Sequence, residues 1–383
     1  MADTSWHSDA YPELRPAPPW VMQEMIAAQP ALAEQMLNDP SPAAAVIADE
    51  IASALASAQP VTVTGCGTSE HASHGIAALI AGAAAPERRG LIHARPALNA
   101  AIEPTAGVCL AVSHDGETRA TALAATAARQ TGARTAAITH DSSSSVASAA
   151  DHVLLTPGHD DSWCHTIAYT TALVAGAAIA DGLDPIAGQP AAAAQLLRYA
   201  TQLDAAPIAK RLAGSRTLLC AGAGLDHISA RELALKIAEG ARMPTLAVEL
   251  ETVLHGQLAG NEASDALILI AIDDSAQPDR LARRATHVAA AAAAIGLPVA
   301  AVLSPPYDRS LPTELTPAGR LVIDLPDTTL LSRRLAGLLA GAGALQALTL
   351  ALAHTRSTNP DLIRREEAPY RHAAQIAEQA HHW

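Results

Sequence analysis

The sequence predicts an α/β fold of two similar doubly wound domains, each a mainly parallel sheet flanked by helices. Short, continuously apolar segments alternate with segments of helical composition, which is typical of parallel strands covered on both faces. This succession occurs once in each half of the chain, so the halves resemble two copies of one unit. The chain has 383 residues, more than one compact core usually holds.

The first half contains an arm and the first predicted domain. Residues 1–45 form the arm, which includes the proline-rich stretches PAPPW and NDPSP, and residues 46–185 form the domain. A strand begins at residue 61 and ends in a turn of Gly65 and Gly67, after which a helix begins. The later strands of this half are predicted at 109–112, 134–138 and 152–156.

The second half repeats this order. A Pro- and Ala-rich linker at about 183–207 leads to the second domain, residues 200–345, and a C-terminal helix and tail occupy 346–383. Its first strand begins at residue 217 and also ends in a glycine turn. The later strands are predicted at 266–272, 297–303 and 320–325. Ligands of such sheets bind beyond the carboxyl ends of the strands, where both glycine turns fall.

Composition restricts the partners and the compartment. Acidic residues outnumber Lys and Arg by 38 to 25, and the net charge of -13 disfavours nucleic acid or an anionic membrane as a partner. The N-terminal stretch MADTSWHSDAYPELRP lacks the basic and apolar order of a signal peptide. We therefore expect a cytoplasmic protein. Four separated cysteines without a C-x-x-C pair indicate buried thiols in a reducing compartment: Cys66, Cys109, Cys164 and Cys220.

The apolar stretch at 335–353 tests this expectation. It is long enough to span a bilayer and follows Arg333 and Arg334. Much of it is Ala and Gly, however, and Gln346 and Thr349 interrupt it. A buried helix is favoured over a membrane span, because two domains of soluble composition precede it and a polar tail follows.

Two polar turns follow consecutive predicted strands of the first half. GCGTS contains Thr68 and Ser69, and SHDGET contains Ser113 and Thr118. Main-chain amides at two helix starts, joined by these hydroxyl groups, can converge on one phosphate without Lys or Arg. A ligand role is favoured over plain helix capping for the two turns together.

Four parts of the chain, between about residues 20 and 371, match motifs of one family. GCGTS and SHDGET form the first match, and the second is ELALKIAEGARMPTLAVELETVLHG. The others are MQEMIAAQPALAEQ near the start and NPDLIRREEAPYR near the end. Together they resemble the tandem sugar isomerase (SIS) domain proteins, which include the isomerase portion of glucosamine-6-phosphate synthase and related phosphosugar ketose/aldose isomerases and deglycases.

The resemblance implies a role for each matching residue. Glu239 would move a proton between C1 and C2, His255 would open the sugar ring, and Lys236 would bind near the anomeric end or orient Glu239. In relatives this histidine comes from the neighbouring subunit, so we expect a homodimer with sites near the subunit interface. The substrate would be a small sugar or sugar phosphate, with no metal or cofactor. The implied substrate-binding residues are Gly67, Thr68, Ser69, Ser113, His114, Asp115, Thr118 and Thr166.

The spacing of Lys236 and Glu239 supports part of this expectation independently. Residues three apart on a helix share one face, which could present a carboxylate to a substrate with a cation beside it. The alternative is a surface ion pair of little energetic value. Likewise, His255 before Gly256 could simply end a segment. With the resemblance, catalysis is favoured over these alternatives.

His114 and Asp115 depart from the family's usual turn, S-Q-S-G-E-T, in which glutamine and serine stand at these positions. Like charges about 4 Å apart repel by several kcal/mol at an effective dielectric near 20, so a carboxylate beside a phosphate is costly. Either Asp115 turns away and a protonated His114 compensates, or the ligand has no phosphate there. A carboxylate suits sugar hydroxyls or an ammonium group, which favours the second alternative.

Segment 158–171, GHDDSWCHTIAYTT, resembles a part of the family that lines the sugar site. Ile167 replaces the lysine of the family pattern. The candidates in this segment are Asp160 or Asp161, His165, Thr166 and Tyr169.

Other residue patterns favour simpler interpretations. His71 and His74 form an H-x-x-H pair, which without a clear third ligand indicates helix surface more than a metal site. The tail has Arg364, Arg365 and Arg371 but no lysine, so Schiff-base chemistry from the tail is not expected.

The sequence therefore predicts a sugar or amino-sugar aldose/ketose isomerase, or a related deaminase or deglycase. Glutamine-dependent amination is not expected, because nothing resembles a glutamine-hydrolysing domain. The alternative is a non-catalytic sugar-binding regulatory module. Glu239 and His255 favour the enzyme, since binding alone needs neither. A ligand role for the second domain's own turn, which contains Gly222, Gly224 and Asp226, stays open.

Overall fold

The computed structural model describes residues 6–8, 11–185 and 188–379. Parts of the predicted arm, linker and tail lie outside these residues, namely 1–5, 9–10, 186–187 and 380–383. Two helices precede the first sheet, α1 (Val21–Asn38) and α2 (Pro42–Ala56).

The first sheet has five strands, all parallel. The strands are β1 (Val61–Gly65), β2 (Ile92–Pro96), β3 (Val108–Val112), β4 (Arg134–Thr139) and β5 (His152–Leu155). They lie in the order β2-β1-β3-β4-β5. The helices of this domain are α3 (Thr68–Ala83), α4 (Ala97–Ile102), α5 (Arg119–Gln130), α6 (Ser145–Ser148) and α7 (Ile167–Leu183).

The second sheet follows two short helices, α8 (Pro190–Thr201) and α9 (Ala206–Leu212). Its parallel strands are β6 (Leu218–Gly222), β7 (Thr245–Glu249), β8 (Ala266–Ala271), β9 (Val299–Leu303) and β10 (Gly319–Val322). They lie in the order β10-β9-β8-β6-β7. The remaining helices are α10 (Leu225–Lys236), α11 (Leu250–Leu254), α12 (Pro278–Ala294), α13 (Pro305–Ser310), α14 (Arg333–Arg356) and α15 (Ala368–Gln379).

The two domains are copies of one unit, as predicted. Numbered within each domain, both sheets have the strand order 2-1-3-4-5. The glycine turns also match, because Gly67 has φ 55° and ψ -127° and Gly224 has φ 58° and ψ -124°. A Cβ at Gly65 would lie 2.7 Å from the Ser69 carbonyl carbon, and a Cβ at Gly222 would lie 2.5 Å from that of Asp226. The predicted fold of two doubly wound domains is confirmed.

Two strands, β2 and β7, were absent from the strand predictions. Each is the edge strand next to the first strand of its domain. Their side chains are partly exposed, with one buried residue in each strand, whereas β1, β3, β6 and β8 are buried throughout. The continuously apolar pattern that marked the other strands is therefore missing from them.

Helix α14 runs through the apolar core that the two domains share. Among the described helices it alone is long and apolar enough to cross a membrane, and 89% of its apolar window is buried inside the protein. The predicted buried helix is confirmed. The domain boundaries remain predictions. Helix α2 begins before the predicted start of the first domain at residue 46, and α14 continues through the predicted end of the second domain at residue 345. Helix α8 lies within the expected linker.

Candidate active site

The two polar turns of the first domain lie side by side at the carboxyl edge of its sheet. β1 and β3 are parallel neighbours, so each strand delivers the turn that follows it to the same edge. Thr121 Oγ1, in the first turn of α5, lies 3.9 Å from Cys66 Sγ in the glycine turn. The structure thus brings together the segments that carry Ser69 and Ser113.

Hydroxyl groups and helix amides meet at this edge. Ser113 Oγ donates to Thr118 Oγ1 over 3.1 Å; Ser113 is buried and Thr118 is the exposed N-cap of α5. The Thr118 hydroxyl keeps its own proton for a ligand, and the first amides of α5 lack partners within the helix. Ser69 is half-buried at the start of α3, next to exposed Gly67. This edge offers hydroxyl and main-chain hydrogen-bond donors to an anion.

Thr68 and His71 contact the second domain. Thr68 Oγ1 donates to Glu232 Oε1 over 3.2 Å, and His71 Nδ1 lies 2.7 Å from Glu232 Oε2. The single proton of the Thr68 hydroxyl is therefore engaged with Glu232, where we expected it to face a ligand. The prediction of a helix-surface position is wrong for His71, because its side chain is buried against this carboxylate.

Lys236 joins Glu232 to Glu239 inside the protein. Its Nζ lies 2.5 Å from Glu239 Oε2 and 3.8 Å from Glu232 Oε1, and its side chain is 0% exposed. Burial alone lowers the pKa of Lys236, but the neighbouring carboxylates outweigh burial and raise it, so the amine stays protonated. Burial alone raises the pKa of Glu232, but Lys236 and His71 outweigh it and lower the pKa.

Glu239 lies in a π-helical turn, Ile237–Ala241, that continues α10. Such turns insert an extra residue and are frequent at functional sites. The Glu239 side chain is 21% exposed, so its carboxylate is accessible although Lys236 is not. The C-terminal segment supports the turn, because a Cβ at Gly240 would lie 3.1 Å from Thr349 and 3.3 Å from Pro360.

Cys164 brings the first domain to the same turn. Its Sγ lies 3.9 Å from the Lys236 carbonyl oxygen and would lie 3.5 Å from a Cβ at Gly240. The loop between β5 and α7 therefore reaches the Lys236–Glu239 pair from the opposite domain. Burial raises the pKa of the Cys164 thiol well above its usual range, so this side chain stays protonated and packs.

His114 is neutral and positions that loop. Its Nε2 accepts a hydrogen bond from the Asp160 amide over 3.0 Å, which requires an unprotonated nitrogen. Burial lowers the pKa of His114 to about 4, although Asp160 and Asp115 oppose the shift. The alternative in which a protonated His114 offsets the charge of Asp115 at neutral pH is therefore wrong.

Asp115 turns outward at the rim of the site. Its side chain is 55% exposed, and its Oδ1 lies 3.8 Å from His159 Nε2. No lysine or arginine of the described chain forms an ion pair with it. Asp115 therefore places negative charge at the rim, next to His159.

The segment 158–171 divides into a rim and an interior. Asp161 is exposed, whereas Asp160 is buried and its Oδ2 accepts hydrogen bonds from the amides of Thr166, over 2.6 Å, and Ala168, over 3.1 Å. This carboxylate stabilises the start of α7. Thr166 and Tyr169 are fully buried, and their hydroxyl oxygens have no hydrogen-bond partner in the described chain. Both lie inside the protein beneath the loop.

His255 lies on the surface of the second domain, after α11. Its side chain is 69% exposed, and its Nε2 lies 2.9 Å from Glu251 Oε1. Glu251 also pairs with Arg284. Within one chain, the structure does not bring His255 into hydrogen-bond contact with Glu239.

The glycine turn of the second domain holds an internal carboxylate. Asp226, at the position equivalent to Ser69, accepts hydrogen bonds from the amides of Ile272, over 3.0 Å, and Asp273, over 3.2 Å. Burial, together with Asp273, raises the pKa of Asp226 to about 7. The side chain occupies the space between the two turns in this copy, so Asp226 packs there and does not line a second ligand site.

Throughout the described ranges, no group of three His, Cys, Asp or Glu could hold a metal ion. In the H-x-x-H pair, His71 is engaged with Glu232, and burial lowers the pKa of His74 to about 4. The four cysteines are free thiols, and burial raises the pKa of each.

The contact between Glu232 and His71 escaped the sequence analysis. The two residues are separated by 161 positions, and no local pattern connects them. The available signal was the i, i+4 spacing of Glu232 and Lys236 on one face of α10. The sequence also could not show which of the adjacent aspartates, Asp160 or Asp161, is the buried one that caps α7.

Fold and site define the class as a two-domain protein of doubly wound α/β sheets with a polar site at the domain junction. Residues 54–180 match the model of the SIS domain family. The first domain is thus an SIS domain, which confirms the resemblance found in its motifs. A comparison with curated protein sequences found no match.

Solved structures of other proteins share the fold over most of the chain. The C-terminal domain of glucosamine-fructose-6-phosphate aminotransferase from Francisella tularensis has a TM-score of 0.72 at 18% identity, covering 91% of this chain and 99% of that one. Tagatose-6-phosphate ketose/aldose isomerase from Escherichia coli has a TM-score of 0.67 at 17% identity, and the match covers 92% of this chain and 98% of that one. Glucosamine-6-phosphate deaminase from Thermotoga maritima has a TM-score of 0.60 at 16% identity, and the match covers 89% of this chain and 96% of that one. At these identities the similarity shows the fold.

Proposed function

We propose that the protein is a sugar or amino-sugar aldose/ketose isomerase, or a related deaminase or deglycase, with Glu239 as its base. Glu239 takes the proton from C2 of an open-chain sugar and returns it to C1. Lys236, which is buried beside this carboxylate, stays protonated and orients Glu239 for these steps. A deaminase or deglycase applies the same proton transfer next to a carbon that carries nitrogen.

The pairing of Lys236 with Glu239 is the observation that carries the proposal. The lysine is buried and protonated, and the glutamate is the accessible member of the pair. Burying two charges to form a purely structural pair brings little stability. A base held beside a cation at the domain junction is what proton transfer next to a carbonyl requires. The sugar-phosphate names of the three solved relatives support the same class of reaction.

We further propose a homodimer in the cytoplasm, in which His255 of one subunit opens the sugar ring at the Glu239 of the other. The exposed position of His255 supports this arrangement, because an exposed side chain is free to enter a neighbouring site. The substrate is a small sugar or sugar phosphate, and neither nucleic acid nor a membrane is a partner. The neutral His114, which offers no compensating positive charge beside Asp115, supports a substrate without phosphate at that end of the site.

A second candidate function is a non-catalytic sugar-binding module. The specific observation in its favour is that His255 hydrogen-bonds Glu251 and not Glu239 within one chain. In that case the ligand shifts a conformational equilibrium and undergoes no reaction.

Solvent deuterium exchange at C2 separates the two functions. A panel of glucose, fructose, glucosamine and their 6-phosphates is incubated with the protein in deuterated water, and each sugar is followed by NMR. We expect exchange with at least one sugar and a loss of at least about 100-fold in Glu239→Gln. Glu314→Gln, a change at an exposed residue of the second domain, serves as the matched control. Binding of a sugar without exchange would favour the module.

A further inference from the structure

A cleft of about 390 Å³ opens beside Asp115 on the first domain. The loop that follows β5 forms one wall, and the segment that precedes and begins α1 forms the other. Carboxylates dominate its polar lining, and five of them contribute: Glu13, Glu24, Asp115, Asp160 and Asp161.

The negative charge of this cleft exceeds the positive charge around it. Arg15 is the one arginine among the described lining residues, and it is held by Glu13 and Glu24 at 2.7 Å each. The other cationic candidates are His159 and His165. Even with both imidazoles protonated, the carboxylates outnumber the cations. The cleft therefore repels a phosphate dianion and attracts a cation.

Asp160 gives a second, independent indication of a ligand. Its side chain is 0% exposed, and its Oδ2 is occupied by the amides of Thr166 and Ala168. Its Oδ1 has no hydrogen-bond partner in the described chain. Buried carboxylate oxygens are nearly always hydrogen-bonded, so Asp160, which lines the cleft and whose Oδ2 lies 3.7 Å from His165 Nδ1, keeps unused acceptor capacity at Oδ1.

We propose that this cleft binds a protonated amine of the substrate, so that the natural substrate is a sugar derivative with an amine remote from C1 and C2. The inference rests on the proposed function, because it takes Glu239 as the place where C1 and C2 bind. An ammonium group donates three charge-assisted hydrogen bonds, which suits several carboxylates converging on one space.

The loop between β5 and α7 connects the cleft with Glu239. Asp160 and His165 of this loop line the cleft, while Cys164 between them contacts the Lys236 carbonyl at 3.9 Å. The same loop therefore contributes to the cleft and contacts the segment that carries Glu239.

Three probes that differ in one group test the proposal. Isothermal titration calorimetry on the Glu239→Gln variant compares 6-amino-6-deoxyglucose, glucose and glucose 6-phosphate, which carry an ammonium, a hydroxyl and a phosphate at the same carbon. We expect the amine to bind at least about tenfold more tightly than glucose, and the phosphate to bind most weakly. Because this variant lacks the base, binding is measured without turnover.

Substitution of the exposed aspartates assigns the effect to the cleft. Replacing Asp115 and Asp161 together by Asn is expected to remove most of the amine preference and to improve phosphate binding. Asp49→Asn, an exposed position on α2, is the control for loss of one surface charge. Thermal unfolding of each variant verifies that it is folded.

Three outcomes would overturn the inference: tightest binding of the phosphate, an amine preference that survives the double substitution, or no binding of the amine probe. Binding of Mg²⁺ alone by the same carboxylates would also overturn it. Exchange at C2 by the unsubstituted protein is the separate readout of the proposed function. If exchange depends on Glu239 while the amine preference is absent, this inference alone fails.

Discussion

His71 Nδ1 of the first domain lies 2.7 Å from Glu232 Oε2 of the second, inside the protein. The same carboxylate accepts a hydrogen bond from Thr68 and faces Lys236. One buried side chain therefore connects the glycine turn of the first domain with the proposed base in the second. Truncating it leaves Lys236, a buried cation, short of a partner.

We expect Glu232→Ala to lower the free energy of unfolding by about 3–5 kcal/mol, the usual cost of removing one member of a buried charge pair. Glu103→Ala is the matched control, because Glu103 is 82% exposed and meets Arg95 at 3.4 Å. For the control we expect a change below about 0.5 kcal/mol. Urea denaturation followed by circular dichroism measures both. Equal losses in the two variants would mean that the network does not join the domains energetically.

Complementation tests the proposed exchange of His255 between subunits. Glu239→Gln and His255→Ala are each expected to be inactive as homodimers. Co-expressed, they form mixed dimers in which one site has both wild-type residues, so about a quarter of the activity should return. Light scattering checks that dimers form. Failure of a dimeric mixture to recover activity would contradict the exchange of His255 between subunits.

The neutral state of His114 predicts a dependence of stability on pH. Burial lowers its pKa to about 4 in the folded protein, whereas the unfolded value is near 6.5. The unfolded state therefore binds more protons below pH 6.5, and the contribution of this residue is lost as pH falls from 6.5 toward 4. In His114→Gln, which retains an acceptor for the Asp160 amide, this loss should shrink by about 2–3 kcal/mol. Unfolding curves at pH 4.5 and 7.5 measure the free energy of unfolding of both proteins. Equal losses of stability in the two proteins at pH 4.5 would contradict a neutral His114.

The raised pKa of Asp226 predicts the opposite dependence of stability on pH. Burial and Asp273 raise its pKa to about 7, above the unfolded value near 3.8. Its folded form binds the extra proton, so the stability it contributes is complete below pH 4 and is lost as pH rises through 7. We expect Asp226→Asn to be more stable than the unsubstituted protein at pH 8, on the order of 2–4 kcal/mol, with little difference at pH 4. A variant less stable at pH 8 would show that the ionised carboxylate is stabilising.

Local patterns were sufficient for the fold and for part of the site. Continuous apolar runs identified the central strands, and the equivalent glycines of the two turns identified the repeat, because both signals lie within a few residues. The edge strands β2 and β7 escaped, since polar or proline residues interrupt or bound their sequences, IHARP and TLAVE. Lys236 and Glu239 were found through their spacing on one helical segment.

What the sequence could not supply was the partner of each polar group. The Thr68 hydroxyl is used by Glu232 and the His114 imidazole by the Asp160 amide, and both bonds join distant positions in the chain. The protonation of His114 depends on its burial, which only the packed structure determines. Asp226 shows the same limit, because its carboxylate occupies a turn that by sequence could equally have held a ligand.

The central claim is that one open-chain sugar is held between the first domain's turns and the carboxylate of Glu239. A crystal structure of the protein with bound sorbitol, a stable open-chain analogue, tests it most directly. We expect Glu239 to contact the C1–C2 end of this ligand while Ser69, Ser113 or Thr118 contacts the rest. A ligand that occupies the turns without reaching Glu239, or that binds elsewhere, would contradict it.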